Sequence, residues 1–154
     1  LNPLDITAIE ENISCPNVGR PLENDHQAQK KLFTLSRKAS KHPLIIKLGI
    51  CSDYLKTAKL AEDCGYNAIS AINTVPIIGG GYSGPGIKPI ALRAIVELKK
   101  AVNIPIIGGG GISSWKDCRE FLAAGADAVS CGSVFFFQPY KPNLMLKIHQ
   151  KELS

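Results

Sequence analysis

No apolar run in this sequence approaches the roughly 20 residues a membrane-crossing helix requires, and the N-terminus has no charged start leading into an apolar core. The expectation is a soluble protein without a membrane span. Paired cysteine motifs are also missing. The five cysteines, Cys15, Cys51, Cys64, Cys118 and Cys131, are odd in number and nowhere stand in C-x-x-C spacing, which argues against a disulfide framework or a zinc site. A reduced, cytoplasmic setting follows as an expectation. His26, His42 and His149 lie far apart, without an H-E-x-x-H pattern, and read as surface residues. Aromatics make up only 6% of the chain, and the basic clusters at Lys30-Lys31, Arg37-Lys38-Lys41 and Lys99-Lys100 do not interleave with them. A nucleic-acid stripe is therefore not expected, and the net charge of +5 better suits an anionic small ligand.

What the sequence does contain is a repeated alternation. With 154 residues, 45% of them apolar, it can bury one core, and a single domain over residues 1–154 is expected. Short apolar runs rich in β-branched residues occupy 9–14, 43–48, 68–73, 104–107 and 128–131, and read as strands. Helix-length stretches separate them. Residues 25–41 place Leu32, Phe33, Leu35 and Ala39 on one stripe. Residues 54–64 follow Ser52-Asp53 and stop at Gly65, 90–102 follow Pro89 in a first turn, and 114–124 complete the set. A glycine-rich loop is expected over 79–86. Five strands alternating with helices argue for parallel βα units whose strand C-termini share one rim.

The chemistry-bearing residues fall on that rim. "IPIIGGGG" ends one strand in Gly110-Gly111, and "AVSCGS" ends the next in Gly132-Ser133. Bare backbone N–H groups, positive φ and a helix start beginning at Ser113 or Ser114 together make a phosphate cradle; flexible turns are the competing reading of glycine runs. Cys15 follows a strand and precedes a proline that holds it extended, and Asn12 and Asn17 flank it with amides. A thiol there can serve as a general base. The other four cysteines read as small buried hydrophobes. Lys47 ends an apolar strand, where it either meets an anion or snorkels to the rim. Asn73-Thr74 ends the next strand with two more hydrogen-bonding side chains.

Six ordered blocks, "AIEENISCPNVG", "PLIIKLG", "AISAINTV", "YSGPGIKPIALRAI", "IPIIGGGGISSWKD" and "AGADAVSCGSV", span residues 8–134 and resemble the dihydroorotate dehydrogenase family. The resemblance implies an α/β fold, part of a (β/α)8 TIM barrel, with five units corresponding to strands four to eight. It also implies an FMN-dependent oxidoreductase that converts dihydroorotate to orotate in pyrimidine biosynthesis. Cys15 matches the catalytic base of the cytosolic class, where the membrane-associated class has serine. Asn12, Asn17, Asn73 and Thr74 would bind substrate. Asn12, Lys47, Ile72, Gly84, Gly110, Gly111, Gly132 and Ser133 would bind FMN.

Three departures accompany the match. A full barrel takes about 250 residues, so a missing N-terminal half or self-association into a homo-oligomer is expected to cover the open sheet edges. The segment between Asn73 and Gly84 is short for the family. Glu11 stands where the family has an apolar residue, and is expected to be unpaired or exposed. Three alternatives remain beside the enzyme: a dihydropyrimidine dehydrogenase-like flavin domain; a truncated, non-catalytic half-barrel that at most binds phosphate; and a phosphate-binding barrel of another chemistry, such as an isomerase, which would need neither Cys15 nor Lys47.

Overall fold

The computed structural model describes residues 5–14, 22, 25–50 and 53–153. Five strands form one parallel sheet: β1 (Ile9–Asn12), β2 (Leu44–Leu48), β3 (Ala68–Ala71), β6 (Ile106–Gly109) and β7 (Ala128–Ser130), hydrogen-bonded in that order. The crossovers are α1 (His26–Ala39), α2 (Tyr54–Asp63), α3 (Lys88–Ala101) and α4 (Trp115–Ala123). The expected α/β architecture of five consecutive parallel units is present.

Register divides the strands into two faces. Leu44, Ile46, Leu48, Ile69, Ala71 and Ile106 lie on the helix-covered face, each no more than 2% exposed. Phe33 of α1, Ala58 and Ala61 of α2, Ile95 and Leu98 of α3 and Phe121 of α4 complete this core. The opposite face carries Glu10, Asn12, Ile45, Lys47, Ser70, Ile107, Gly109 and Ser130, and is more open: Glu10, Asn12 and Ser130 are exposed. A continuous apolar strand is expected when both faces are covered. Here only one face is fully covered.

Local chemistry accounts for the boundaries. Asp25 caps α1 by accepting from the Ala28 N–H at 2.9 Å. On that helix Phe33 is buried, but Leu35 and Ala39 face solvent, so the expected stripe is narrower than four residues. Asp53 occupies the cap position of α2 without capping it, because its carboxylate lies 2.9 Å from His26 Nε2. Gly65 ends the α2 turn at φ 86°. The strand expected at 104–107 begins two residues later: Pro105 has no N–H to donate, its carbonyl accepts from Ile69 N at 2.9 Å, and laddering starts at Ile106. β3 stops at Ala71, although Ile72 N and Asn73 N still donate to Gly109 O and Leu48 O at 2.9 and 2.8 Å.

Three regions add to or adjust the sequence reading. The glycine-rich loop expected over 79–86 begins inside an antiparallel hairpin, in which β5 (Gly80–Tyr82) pairs with β4 (Val75–Ile77) through a turn at Ile78 and Gly79, the latter at φ 83°. α3 begins at Lys88, straight after a 3-10 turn at Pro85–Ile87. Beyond β7 follow α5 (Val134–Phe137), with Val134 buried in the core, and α6 (Lys141–Leu153), which packs on α4 through Met145 against Cys118. Among the described residues no helix is long and apolar enough to cross a membrane.

Candidate functional site

The C-terminal ends of β2, β3, β6 and β7 border one cavity of about 250 Å³. Lys47 reaches it from β2, and Ile72, Asn73 and Thr74 from the end of β3. Gly84 stands before α3, Gly110 and Gly111 follow β6, and Gly132 and Ser133 follow β7. Parallel pairing gathers these residues, because neighbouring strands in register place their ends side by side. Of the residues expected to form a site, nine line this cavity. Asn12 joins it through Asn73, whose Nδ2 donates to Asn12 Oδ1 at 3.1 Å. Cys15 and Asn17 lie outside the described residues.

The glycines at the cavity mouth have a steric reason to be glycine. Gly111 has φ 80°, and a Cβ there would sit 2.8 Å from Gly84 O and 2.9 Å from Lys88 N. Two backbone segments therefore press against it. Gly110 has φ 115°, with Ala91 and Ile72 close to any added Cβ. Gly132 differs: nothing lies within 4 Å of an added Cβ, so its backbone faces open space. Ser114 caps α4 behind this loop by accepting from Asp117 N at 3.3 Å.

Polar groups at the other side are tied to one another. Asn73 Nδ2 also donates to Ser14 Oγ at 3.0 Å and Ser14 O at 3.3 Å, while Asn73 Oδ1 accepts from Thr74 N at 2.9 Å. Buried Ser14 in turn donates from its N–H to Asn12 Oδ1 at 3.2 Å. Lys47 neither floats free nor lies buried: its Nζ pairs with Glu10 Oε1 at 3.2 Å, one strand over. Glu11, expected to be unpaired or exposed, instead accepts a hydrogen bond from the Tyr66 hydroxyl. Tyrosine supplies the partner from the turn before β3, beyond the reach of a reading that considers β1 alone.

Several contributors were not legible beforehand. Ser70, Ser83 and Ser130 line the cavity, as does Phe136, which is 87% exposed overall. Period-two alternation places Ser70 opposite Lys47 and could have found it. Asp117 is nearly buried behind the glycine loop. Burial pushes its carboxyl up, but the Lys88 ammonium and the Ser113 and Ser114 donors outweigh that and hold it well below the usual carboxylate range. Cys118 behaves as the small buried hydrophobe expected, with its Sγ 3.8 Å from Met145 Sδ; a hydrogen bond with Cys131 and burial push its thiol up.

Comparison with known proteins gives this geometry a lineage. The dihydroorotate dehydrogenase family model matches residues 4–153. The catalytic subunit of dihydroorotate dehydrogenase B (NAD(+)) from Oceanobacillus iheyensis is 42% identical over 154 residues, 88% of this chain and 51% of its own length. A putative dihydroorotate dehydrogenase A (fumarate) from Solibacter usitatus is 39% identical, covering 89% of this chain and 51% of that protein. The chain thus spans about half the length of the curated relatives it matches. In structure, the ferulenol complex of the Eimeria tenella enzyme DHODH superposes with a TM-score of 0.74 at 20% identity, over 84% of this chain and 45% of that one, a likeness of fold. A match running through nearly every residue assigns the sequence: the chain belongs to the dihydroorotate dehydrogenase family.

Proposed function

We propose that residues 1–154 form a single domain supplying the five C-terminal βα units of an FMN-dependent dihydroorotate dehydrogenase. The observation that carries this reading is the convergence of two glycine-tipped strand ends and the Asn12, Lys47 and Asn73 side chains on one cavity.

The residues present fit the cofactor. The unobstructed backbone of Gly132, the Ser133 hydroxyl and the Gly110-Gly111 turn at a helix start provide for a phosphate. Ile72 and Gly84 offer an apolar and a side-chain-free wall for a planar ring, and Lys47 and Asn12 offer polar groups at its far end. A volume of about 250 Å³ lies below the roughly 300–1,000 Å³ of complete small-molecule sites. The open face of the sheet and the half-length match support a remaining wall built by the preceding barrel units.

FMN supplies the hydride acceptor for C6 of dihydroorotate. Cys15 removes the proton from C5 as general base. Asn17, Asn73 and Thr74 hold the substrate's carbonyl and carboxylate groups, and Asn12 contacts both substrate and cofactor. The relatives named as catalytic subunits of an NAD(+) enzyme support a partner subunit that receives the electrons.

Anaerobic titration tests the proposal. Protein loaded with FMN turns yellow and is bleached by dihydroorotate; protein that stays colourless after FMN addition overturns it. A non-catalytic half-barrel that at most binds phosphate, the reading favoured by the open sheet face, would stay colourless. Bleaching by other reduced pyrimidines in preference to dihydroorotate would instead place the protein with dihydropyrimidine dehydrogenase-like domains.

A further inference from the structure

Behind the glycine loop lies an ion cluster that touches no part of the cavity surface. Lys88 Nζ donates to Asp117 Oδ1 at 2.6 Å and to Glu120 Oε2 at 2.8 Å. The second oxygen of Asp117 accepts from Ser113 N at 3.0 Å, Ser113 Oγ at 3.1 Å and Ser114 Oγ at 2.8 Å. Asp117 therefore joins the start of α3 to the segment leading from the glycines into α4. Meanwhile the Lys88 backbone abuts Gly111 directly. The loop is fastened from both sides by one lysine.

Charge makes the arrangement more than a brace. Asp117 holds the segment leading out of the glycines where a phosphate is expected, Glu120 follows it on α4, and Lys88 is the cation that both carboxylates share. We propose that Lys88 is a positioning residue that lets this cradle prefer a phosphate-bearing flavin over one lacking the phosphate, an inference that rests on the FMN reading above. Its ammonium is committed to Asp117 and Glu120, so it acts through them: it fixes the Gly110-to-Ser114 backbone and cancels a field that would otherwise repel a dianion. A flavin without phosphate does not meet that field.

Binding of FMN and of riboflavin to the full chain, followed by flavin fluorescence, separates the possibilities. The native chain binds FMN more tightly than riboflavin. Lys88→Met weakens FMN about tenfold or more, as for a lost charge-assisted hydrogen bond, and leaves riboflavin within about twofold. Lys88→Arg restores most of the FMN preference. Should Lys88→Met fail to fold, Ser113→Ala, which removes a single hydroxyl from Asp117, shifts the FMN-to-riboflavin ratio in the same direction by a smaller factor. Equal weakening of both flavins, or an unchanged ratio in these variants, overturns the positioning role. A native chain that binds FMN no better than riboflavin overturns the phosphate cradle, and one that binds neither overturns the FMN reading itself.

Discussion

The Tyr66 hydroxyl donates to the Glu11 carboxylate, linking the turn before β3 to β1 across the intervening strand. The Tyr66 ring is almost fully buried and meets Phe33 edge-on at 5.0 Å. Tyr66→Phe keeps that packing and removes the donor to an ionised acceptor, a loss of about 1–3 kcal/mol in urea unfolding. Combining it with Glu11→Leu recovers most of the loss, because no polar group is then left without a partner. Burial first, and the neighbouring carboxylate second, push the phenol above the usual tyrosine range. A raised folded value means this contribution is complete below the unfolded phenol's pKa of about 10. It disappears as pH rises through the higher folded value, and ultraviolet titration should show a late-ionising phenol that Tyr66→Phe removes.

Two glycines of the proposed cradle should respond in opposite ways to the same substitution. Gly111→Ala combines φ 80° with a Cβ 2.8 Å from one backbone atom and 2.9 Å from another, so it lowers stability by about 2 kcal/mol or more. Gly132→Ala meets nothing within 4 Å and leaves stability within about 0.5 kcal/mol. Its methyl nevertheless occupies the space proposed for phosphate. Thermal melts with FMN titration check both: the first variant loses Tm, the second keeps Tm and loses FMN affinity.

The difference between those glycines marks how far sequence alone could reach. Strand ends, helix starts and the pairing of GGGG with CGS are local signals, and local signals placed nine site residues around one cavity. The partners of Glu11 and Lys47 come from elsewhere in the sheet, Tyr66 from the turn before β3 and Glu10 from β1, and depend on register, which no single segment encodes. The β4–β5 hairpin was hidden because Gly80 and Gly81 carry no side-chain pattern, and its register rests on backbone pairing of Val75 with Tyr82. Lys88 precedes the helix expected over 90–102, and nothing near it in sequence announces Asp117.

Lys47 and Glu10 separate a binding role from a stabilising one. Their side chains are 32% and 39% exposed, and a pair so open to solvent contributes little to stability. Glu10→Gln is therefore expected to change unfolding free energy by less than about 0.5 kcal/mol. Lys47→Met should be similarly mild in stability yet impair flavin reduction by dihydroorotate, because Lys47 is proposed to offer its cation at the far end of the flavin ring. Unfolding curves with stopped-flow bleaching distinguish the two effects.

Cys15→Ser tests the proposed base. A general base contributes about 10²–10⁴-fold, so bleaching by dihydroorotate should slow by at least about a hundredfold at neutral pH. FMN affinity should be unchanged, since the thiol is assigned to the substrate. An isomerase-type barrel that only grips phosphate would be indifferent to this substitution.

Asn73 allows the sharpest separation of substrate binding from scaffold. Its Nδ2 faces Asn12 Oδ1, Ser14 O and Ser14 Oγ, and two of those three can only accept. Asn73→Asp keeps the shape and replaces the donor by a carboxylate oxygen, setting like partial charges against one another at the junction of β1 and β3. Tm falls, and the new charge should also repel the carboxylate of the proposed substrate. Asn73→Ala creates no repulsion and lets Ser14 turn its hydroxyl to Asn12 Oδ1, already 3.3 Å away. It should therefore keep most of the stability while raising the dihydroorotate concentration needed for bleaching about tenfold, the scale of one or two lost hydrogen bonds. Equal dihydroorotate dependence in native protein and Asn73→Ala would remove Asn73 from the substrate site and leave it as the tie between the two strands.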